Sequence, residues 1–167
     1  MSIGDIHSDA PGSGARYNDG KARLEYIPAR ILYDMHSAED YTQALGVFDR
    51  IAKFEETHDE FYLYSALLQL TTGNGLKDIA EVFHYGAKKY AAWNWAKGMP
   101  WSVPMACIKR HLLAYLNNEE LDSESGLPHL AHVGCNVIML LHYAQHYKQG
   151  NDLPPISIFS GNSHAAL

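Results

Sequence analysis

The residues of this chain that can do chemistry crowd between Arg110 and Asn136. The stretch opens on Arg110-His111, passes through Glu119, Glu120, Asp122 and Glu124, and closes on His129, His132 and Asn136. At about 100° per residue, His132 and Asn136 fall within roughly 60° of His129, so a polar stripe runs along an otherwise apolar helix. An acidic loop directly before such a stripe brings oxygen ligands and an imidazole around a hard divalent ion. Mg²⁺ and Mn²⁺ take carboxylate, carbonyl and water ligands and usually share a substrate phosphate. Glu119, Asp122 and Glu124, with His111 and His129, are therefore the candidate metal ligands. The plainer readings are a solvated acidic turn and histidines hydrogen-bonded as structure. No Cys pair stands at zinc-finger spacing, and Cys107 and Cys135 both sit in apolar helical contexts as reduced core residues.

A second cluster is Tyr85-Gly-Ala-Lys-Lys-Tyr-Ala-Ala-Trp-Asn-Trp95. Lys88 and Lys89, near a helix end, can meet phosphate. Tyr90 and Trp95 can stack on a purine, a contact that contributes roughly 1–3 kcal/mol per base, and Asn94 can read a base edge. Core aromatics and a wet lysine face are the competing reading. Gly86 inside a helix costs about 1 kcal/mol against Ala, which predicts a close backbone approach there. The third cluster, Arg16 to Lys21, is a basic segment with a turn at Asp19-Gly20. Through Asp19 and Lys21 it can close over a nucleotide, although its composition equally suits a disordered leader.

These groups need elements to hold them. Tyr41, Leu45, Phe48, Ile51, Ala52 and Phe54 recur at helical spacing behind a Ser37-x-x-Asp40 capping signature, predicting a helix over about 38–56. Thr57-x-x-Glu60 opens another over about 58–72, stopped by Gly73-Asn74-Gly75. Further helices are expected over about 76–92, from a Ser102 cap to about Asn117, and from Pro128 to Gly150. A short one follows Pro28. No segment alternates as a strand does. The expectation is an all-α bundle of five or six helices, with residues 1–15 a flexible arm, 16–150 one domain and 151–167 a tail. The 167 residues suit one domain, and 47% hydrophobic against 19% charged residues excludes global disorder. A net charge of −6 argues against a broad nucleic-acid binder, though not against one anionic ligand in a local basic pocket. No apolar run reaches the roughly 20 residues of a membrane span, and the start lacks a signal peptide's pattern, so a soluble cytoplasmic protein is expected.

Tyr85-Gly-Ala-Lys-Lys-Tyr, Asn94-Trp95, Arg110-His111 and Glu119-Glu-Leu-Asp-Ser-Glu-Ser-Gly-Leu-Pro-His-Leu-Ala-His132, together with Tyr17-Asn-Asp-Gly-Lys21 and Ile27-Pro28, strongly resemble the phage-rich dATP/dGTP diphosphohydrolase family. Its MazZ-type enzymes serve phages that replace adenine by 2-aminoadenine. The resemblance covers about residues 16–30 and 76–145, and the ordered combination is what makes it specific. It implies an all-α, MazG-like nucleoside triphosphate pyrophosphohydrolase that uses Mg²⁺ or Mn²⁺. Such enzymes cleave between the α and β phosphates, so dGTP becomes dGMP, and they are commonly homo-oligomeric, as a dimer or tetramer. Residues 36–75 look like an insertion serving as dimer surface or lid. Glu119-x-x-Asp122 fits the second of the two carboxylate pairs expected of MazG-like enzymes. No clear Glu-x-x-Glu stands for the first; Glu56-x-x-Asp59 and Glu81 are the substitutes on offer. On this reading Glu119, Asp122 and Glu124 hold the ions, and Lys88, Lys89 and Arg110 offset the triphosphate charge. Tyr90, Trp95 and Asn94 meet the base.

Two other classes stay open. His36, His58-Asp59 and Asp78 mimic the His…His-Asp…Asp pattern of HD-type phosphohydrolases, which release inorganic triphosphate from a dNTP. A non-enzymatic nucleotide-sequestering protein would suit the Tyr-rich composition and mobile ends.

Overall fold

Helices form wherever apolar residues recur at three- and four-residue spacing. A computed structural model describes residues 3–36 and 42–160. Its helices are α1 (Ala29–His36), α2 (Gln43–Thr57), α3 (Glu60–Leu70), α4 (Gly75–Lys89), α5 (Ser102–Leu116) and α6 (His129–His146), joined by short 3-10 turns. Among the described residues no strand forms beyond two isolated bridges, so the fold is all-α. No described helix is long and apolar enough to cross a membrane.

The expected Ser37-x-x-Asp40 cap lies outside the described residues. α2 begins later, where Thr42 Oγ1 accepts a hydrogen bond from the Leu45 amide at 3.3 Å. Its Phe48, Ile51, Ala52 and Phe54 are fully buried. The expected Thr57 cap on α3 is corrected. Thr57 still belongs to α2, His58 turns left-handed at φ 55° to end that helix, and Asp59 accepts the Phe61 amide as the actual cap. α3 returns against α2 and α6. The segment expected as an insertion thus supplies part of the same core.

α6 is the hub, packed by α3, α4 and α5, and it is buried along nearly its whole length. A helix apolar all round belongs in such a place. The close approach expected at Gly86 occurs at Gly134 instead. A Cβ on Gly134 would stand 2.4 Å from Ile79 Cδ1, whereas one on Gly86 meets nothing within 4 Å. Two helix starts also differ from expectation. Pro128 stands just before α6 instead of at its first position. Ser102 is the first residue of α5, and its amide and hydroxyl both donate to Asp152, at 2.8 and 2.6 Å. α4 stops at Lys89 because Ala91 and Trp93 take positive φ, 145° and 62°.

One tie was invisible in the apolar pattern. Lys109 on α5 is fully buried, and its Nζ donates to Glu55 Oε1 at 2.6 Å and to the Ile27 carbonyl. Burial pushes the lysine below its ordinary range while Glu55 pulls it back. The other Glu55 oxygen accepts the Ala29 amide at the start of α1. One buried ion pair thereby fixes α1, α2 and α5 together.

The described part of the leader makes contacts that its composition does not foretell. Ile3 and Arg16 exchange backbone hydrogen bonds of 2.8 and 2.9 Å, and the Gly12 and Gly14 amides donate to the Lys97 and Gly98 carbonyls. After α6, Leu153 is buried beside Asp152 and its cap.

Candidate functional site

α4, α5 and α6 diverge around a cavity of about 810 Å³, closed by the 122–124 turn, the 93–95 loop and leader residues 15–17 and Lys21. Small-molecule sites run from about 300 to 1,000 Å³. Neither α2 nor α3 lines it.

His111 from α5, His129 and His132 from α6, and Asp122 from the turn all line it. His111, Asp122 and His129 each offer a ligand atom, all within 4.8 Å of one another. The Nδ1 atoms of His111 and His129 face each other at 2.8 Å, so only one of them carries a proton. Nε2 of His129 is buried without a hydrogen-bond partner. If His129 donates from Nδ1, that Nε2 is a bare lone pair aimed into a dry site, as a metal ligand requires. His132 stacks on His111, with ring centres 4.4 Å apart. Burial, reinforced by His132, pushes His111 down to about 2, and burial pushes His132 down to about 4 even though Asp122 pulls it up. Both imidazoles are therefore neutral at physiological pH.

The turn selects Asp122 from the acidic loop. Gly126, at φ 71°, lets its amide return to the Asp122 carbonyl, and Ser125 donates to Asp122 Oδ2 from both N (2.9 Å) and Oγ (2.8 Å). His132 Nε2 lies 2.7 Å from the same Ser125 Oγ, giving a chain from His132 through Ser125 to Asp122. Partial burial works against the Asp122 charge, but Ser125 and the imidazoles outweigh it and hold the carboxyl below its ordinary range. Glu119 is 65% exposed and only 4.0 Å from His129 Nε2. Glu124 pairs with Lys21 and Lys89, whose ammonium groups hold its carboxyl down. Of the expected acidic ligands, the structure brings Asp122 to the histidines, leaves Glu119 at the edge and puts Glu124 among the lysines.

Cationic side chains line the same cavity: Lys21, Lys89, Arg110 and Arg16. Lys89 also lies 5.7–6.0 Å from the ring centres of Tyr17, Tyr85 and Tyr90. The two arginines meet at Cys107, whose Sγ accepts from Arg16 Nη2 at 3.0 Å and Arg110 Nη2 at 2.9 Å. Burial alone would raise that thiol, but the two guanidiniums prevail and lower it.

In the wall, Trp95 packs against Phe83 and His142 with centroids near 5 Å, and Tyr90 accepts the Tyr17 amide. Two expected substrate contacts stand outside the cavity, and a third lies in its wall but is already engaged. Lys88 and Asp19 are exposed and outside the cavity wall. Asn94 is buried with both ends of its amide bonded to Ala15, at 3.1 and 3.0 Å, so it clamps the leader and has no free edge for a base. Sequence reasoning took Arg16 only as the start of a basic segment and Cys107 as a reduced core residue, and gave Ser125 no role. Only the dense polar punctuation around Arg16 and Ser125 hinted at them.

The substitutes for a first carboxylate pair are engaged elsewhere: Glu56 with Arg30, Asp59 as the α3 cap, and Glu81 at the surface. The HD-type set is scattered too. His36 binds the Leu32 carbonyl, His58 the Pro154 carbonyl, and Asp78 sits in the first turn of α4. Among the described residues these form no metal-binding group.

The family described as dATP/dGTP diphosphohydrolase, N-terminal, matches residues 57–153, more than half of the chain. The chain belongs to the dATP/dGTP diphosphohydrolase family. Membership implies a hydrolase acting on a nucleotide triphosphate. The match takes in α3 to α6, and with them the histidine–aspartate cluster and Lys89; α1, most of α2 and the leader with Arg16 lie before it. No curated protein and no solved structure matches the chain.

Proposed function

We propose that this member of the family hydrolyses purine deoxynucleoside triphosphates, dGTP first and dATP second, between the α and β phosphates, releasing the monophosphate and pyrophosphate with the help of a divalent ion. The observation that carries this reading is the meeting, in one cavity, of a histidine–aspartate ligand group with cationic side chains and an aromatic wall.

The residues present fit an ion. His129 keeps an orphaned buried nitrogen, and His111 is held neutral. His111, His129 and Asp122 would hold it, and two imidazoles beside one carboxylate suit Mn²⁺ better than Mg²⁺. When bound there, the ion would supply charge neutralisation for phosphate oxygens. The chain's own groups do the rest. Lys21, Lys89 and Arg110 balance the triphosphate, a role that fixed cations fill at the cost of no reorganisation. Glu124 holds the two lysines apart from the carboxylate of Asp122 until a phosphate displaces it. Trp95 and Tyr90 lie against the purine. His132, neutral and oriented by Ser125, takes the proton from the attacking water, and Asp122 stabilises the imidazolium that results.

The test is a panel of dNTPs and NTPs with Mn²⁺, with Mg²⁺ and with EDTA, with products resolved by chromatography. dGMP with pyrophosphate supports the reading. Nucleoside with inorganic triphosphate would install the HD-type reaction in its place, and binding without turnover would make the protein a nucleotide sequesterer. Two variants test the geometry. Asp122→Asn should abolish turnover, whereas Glu124→Gln, which removes only a half-exposed pairing, should change it by less than about tenfold. Full activity in Asp122→Asn removes the ligand assignment.

A further inference from the structure

Arg16 is half-buried in the cavity wall, yet its side-chain partners are neutral or weakly acidic: Asn136 Oδ1 at 2.7 Å and Cys107 Sγ at 3.0 Å. Among the described residues no carboxylate stands with the groups that act on its charge. Arg30 shows the usual arrangement, braced by both Asp49 and Glu56. Even partial withdrawal of a guanidinium from water without an ionic partner is unfavourable. Arg110 adds to the imbalance. Its Nη1 donates to the Ala22 carbonyl at 3.0 Å and its Nη2 to the sulfur that Arg16 also touches. Two like charges that share one sulfur repel. A bound oxyanion turns that repulsion into attraction, and a planar fork of N–H donors matches phosphate oxygens in pairs.

The leader is built to deliver this side chain. Ala15 is pinned by the buried amide of Asn94, and the Arg16 backbone is held by reciprocal hydrogen bonds with Ile3. Its side chain then reaches α5 at Cys107 and α6 at Asn136. The Asn136 carbonyl oxygen is itself aimed by a hydrogen bond from Nδ2 to the His132 carbonyl at 2.8 Å. This arrangement explains why Asn94 serves the leader.

We propose that Arg16 and Arg110 form a diphosphate subsite in the floor of the cavity, taking the β and γ phosphates of the substrate, and that the leader segment through Arg16 is an integral part of the binding site. The subsite rests on the nucleotide reading above for its place in the reaction, but its test needs no turnover.

Inorganic pyrophosphate is titrated by calorimetry into the full chain in EDTA, for the wild type, Arg16→Met, Arg16→Lys and the exposed control Lys77→Met, with dGMP titrated in parallel. Arg16→Met should weaken pyrophosphate binding ten- to a hundredfold. Arg16→Lys, which keeps the charge and loses the fork, should fall between. dGMP affinity should move less than threefold, and Lys77→Met should match the wild type. Unchanged pyrophosphate binding in Arg16→Met with a native circular dichroism spectrum overturns the subsite. If that variant does not fold, the wild type decides: pyrophosphate should protect Arg16 and Arg110 from phenylglyoxal, read by peptide mass, and absence of protection overturns it equally. Pyrophosphate binding that depends on Arg16 in a protein that hydrolyses no nucleotide would sink the hydrolase reading and leave the subsite standing.

Discussion

Gly86 tests whether the cavity is a ligand site, because stability and affinity should respond to it in opposite directions. It lies inside α4 with ordinary helical geometry, lines the cavity, and offers open space for 4 Å where a Cβ would stand. Within a helix glycine is about 0.8–1.0 kcal/mol worse than alanine, mostly through backbone entropy. Nothing resists the added methyl, so Gly86→Ala should return most of that, about 0.5–1 kcal/mol, or roughly 1–4 °C in Tm at this chain length. Gly134→Ala is the control. The same methyl there meets Ile79 Cδ1 at 2.4 Å and Cγ1 at 2.7 Å, and overpacking of this kind costs about 1–3 kcal/mol. Gly86→Leu should keep the stability gain while its side chain takes up volume meant for the nucleotide, raising KM for dGTP about tenfold or binding in the same proportion. Thermal unfolding by circular dichroism and steady-state kinetics read the two effects. A lowered Tm in Gly86→Ala, or an unchanged KM in Gly86→Leu, would refute the reasoning, since either means that the glycine does not face an open, used volume.

Two further outcomes follow from buried charge. Lys109→Met leaves Glu55 ionised in the core and should cost about 3–5 kcal/mol, while Lys109→Met with Glu55→Gln recovers more than half of it in urea unfolding; a single-variant loss below about 1 kcal/mol would contradict the buried pair. For pH, His111 and His132 are pushed from 6.5 to about 2 and about 4, so below pH 6.5 the unfolded chain binds protons that the folded chain refuses. Their stabilising effect is present in full above about pH 7 and is lost as pH falls toward the folded values, by about 1–2 kcal/mol for each histidine at pH 5. In EDTA the urea midpoint should drop between pH 7 and pH 5, and the double variant His111→Asn, His132→Asn should drop less; an equal drop in both proteins would place the titration elsewhere.

Helix existence was legible in the sequence because burial alone decides it. α2 announces itself through Phe48, Ile51 and Phe54, and α6 through apolar residues on every side but the stripe of His129, His132 and Asn136. Helix ends were less so, since caps compete locally. Thr57 and Asp59 are both good N-caps, and the left-handed turn at His58 gives the role to Asp59. The acidic loop illustrates the same limit at the site. Glu119, Asp122 and Glu124 look interchangeable as letters. They part only when Gly126 closes the turn and Ser125 takes hold of one carboxylate. Arg16 and Lys109 were out of reach for a different reason: their partners, Cys107 and Glu55, lie 91 and 54 residues away, and a cation's burial is set by tertiary contacts.

The turn from Asp122 to Glu124 also explains how an acidic chain can hold a polyanion. Its net charge of −6 would repel triphosphate if the carboxylates faced the cavity unpaired. Instead Asp122 turns toward the neutral imidazoles of His111 and His132, and Glu124 toward two lysines. Neither arrangement presents bare negative charge to the space between them, and Arg16 and Arg110 leave that space positive. A phosphate that takes Lys21 and Lys89 from Glu124 releases the carboxylate at a position 45% exposed, where water solvates it at little cost. The same exchange attempted at Asp122, which is 18% exposed, would strand a charge in a drier place. Exposure therefore divides the labour between two carboxylates only two residues apart: the outer one yields to substrate, and the inner one stays with the histidines.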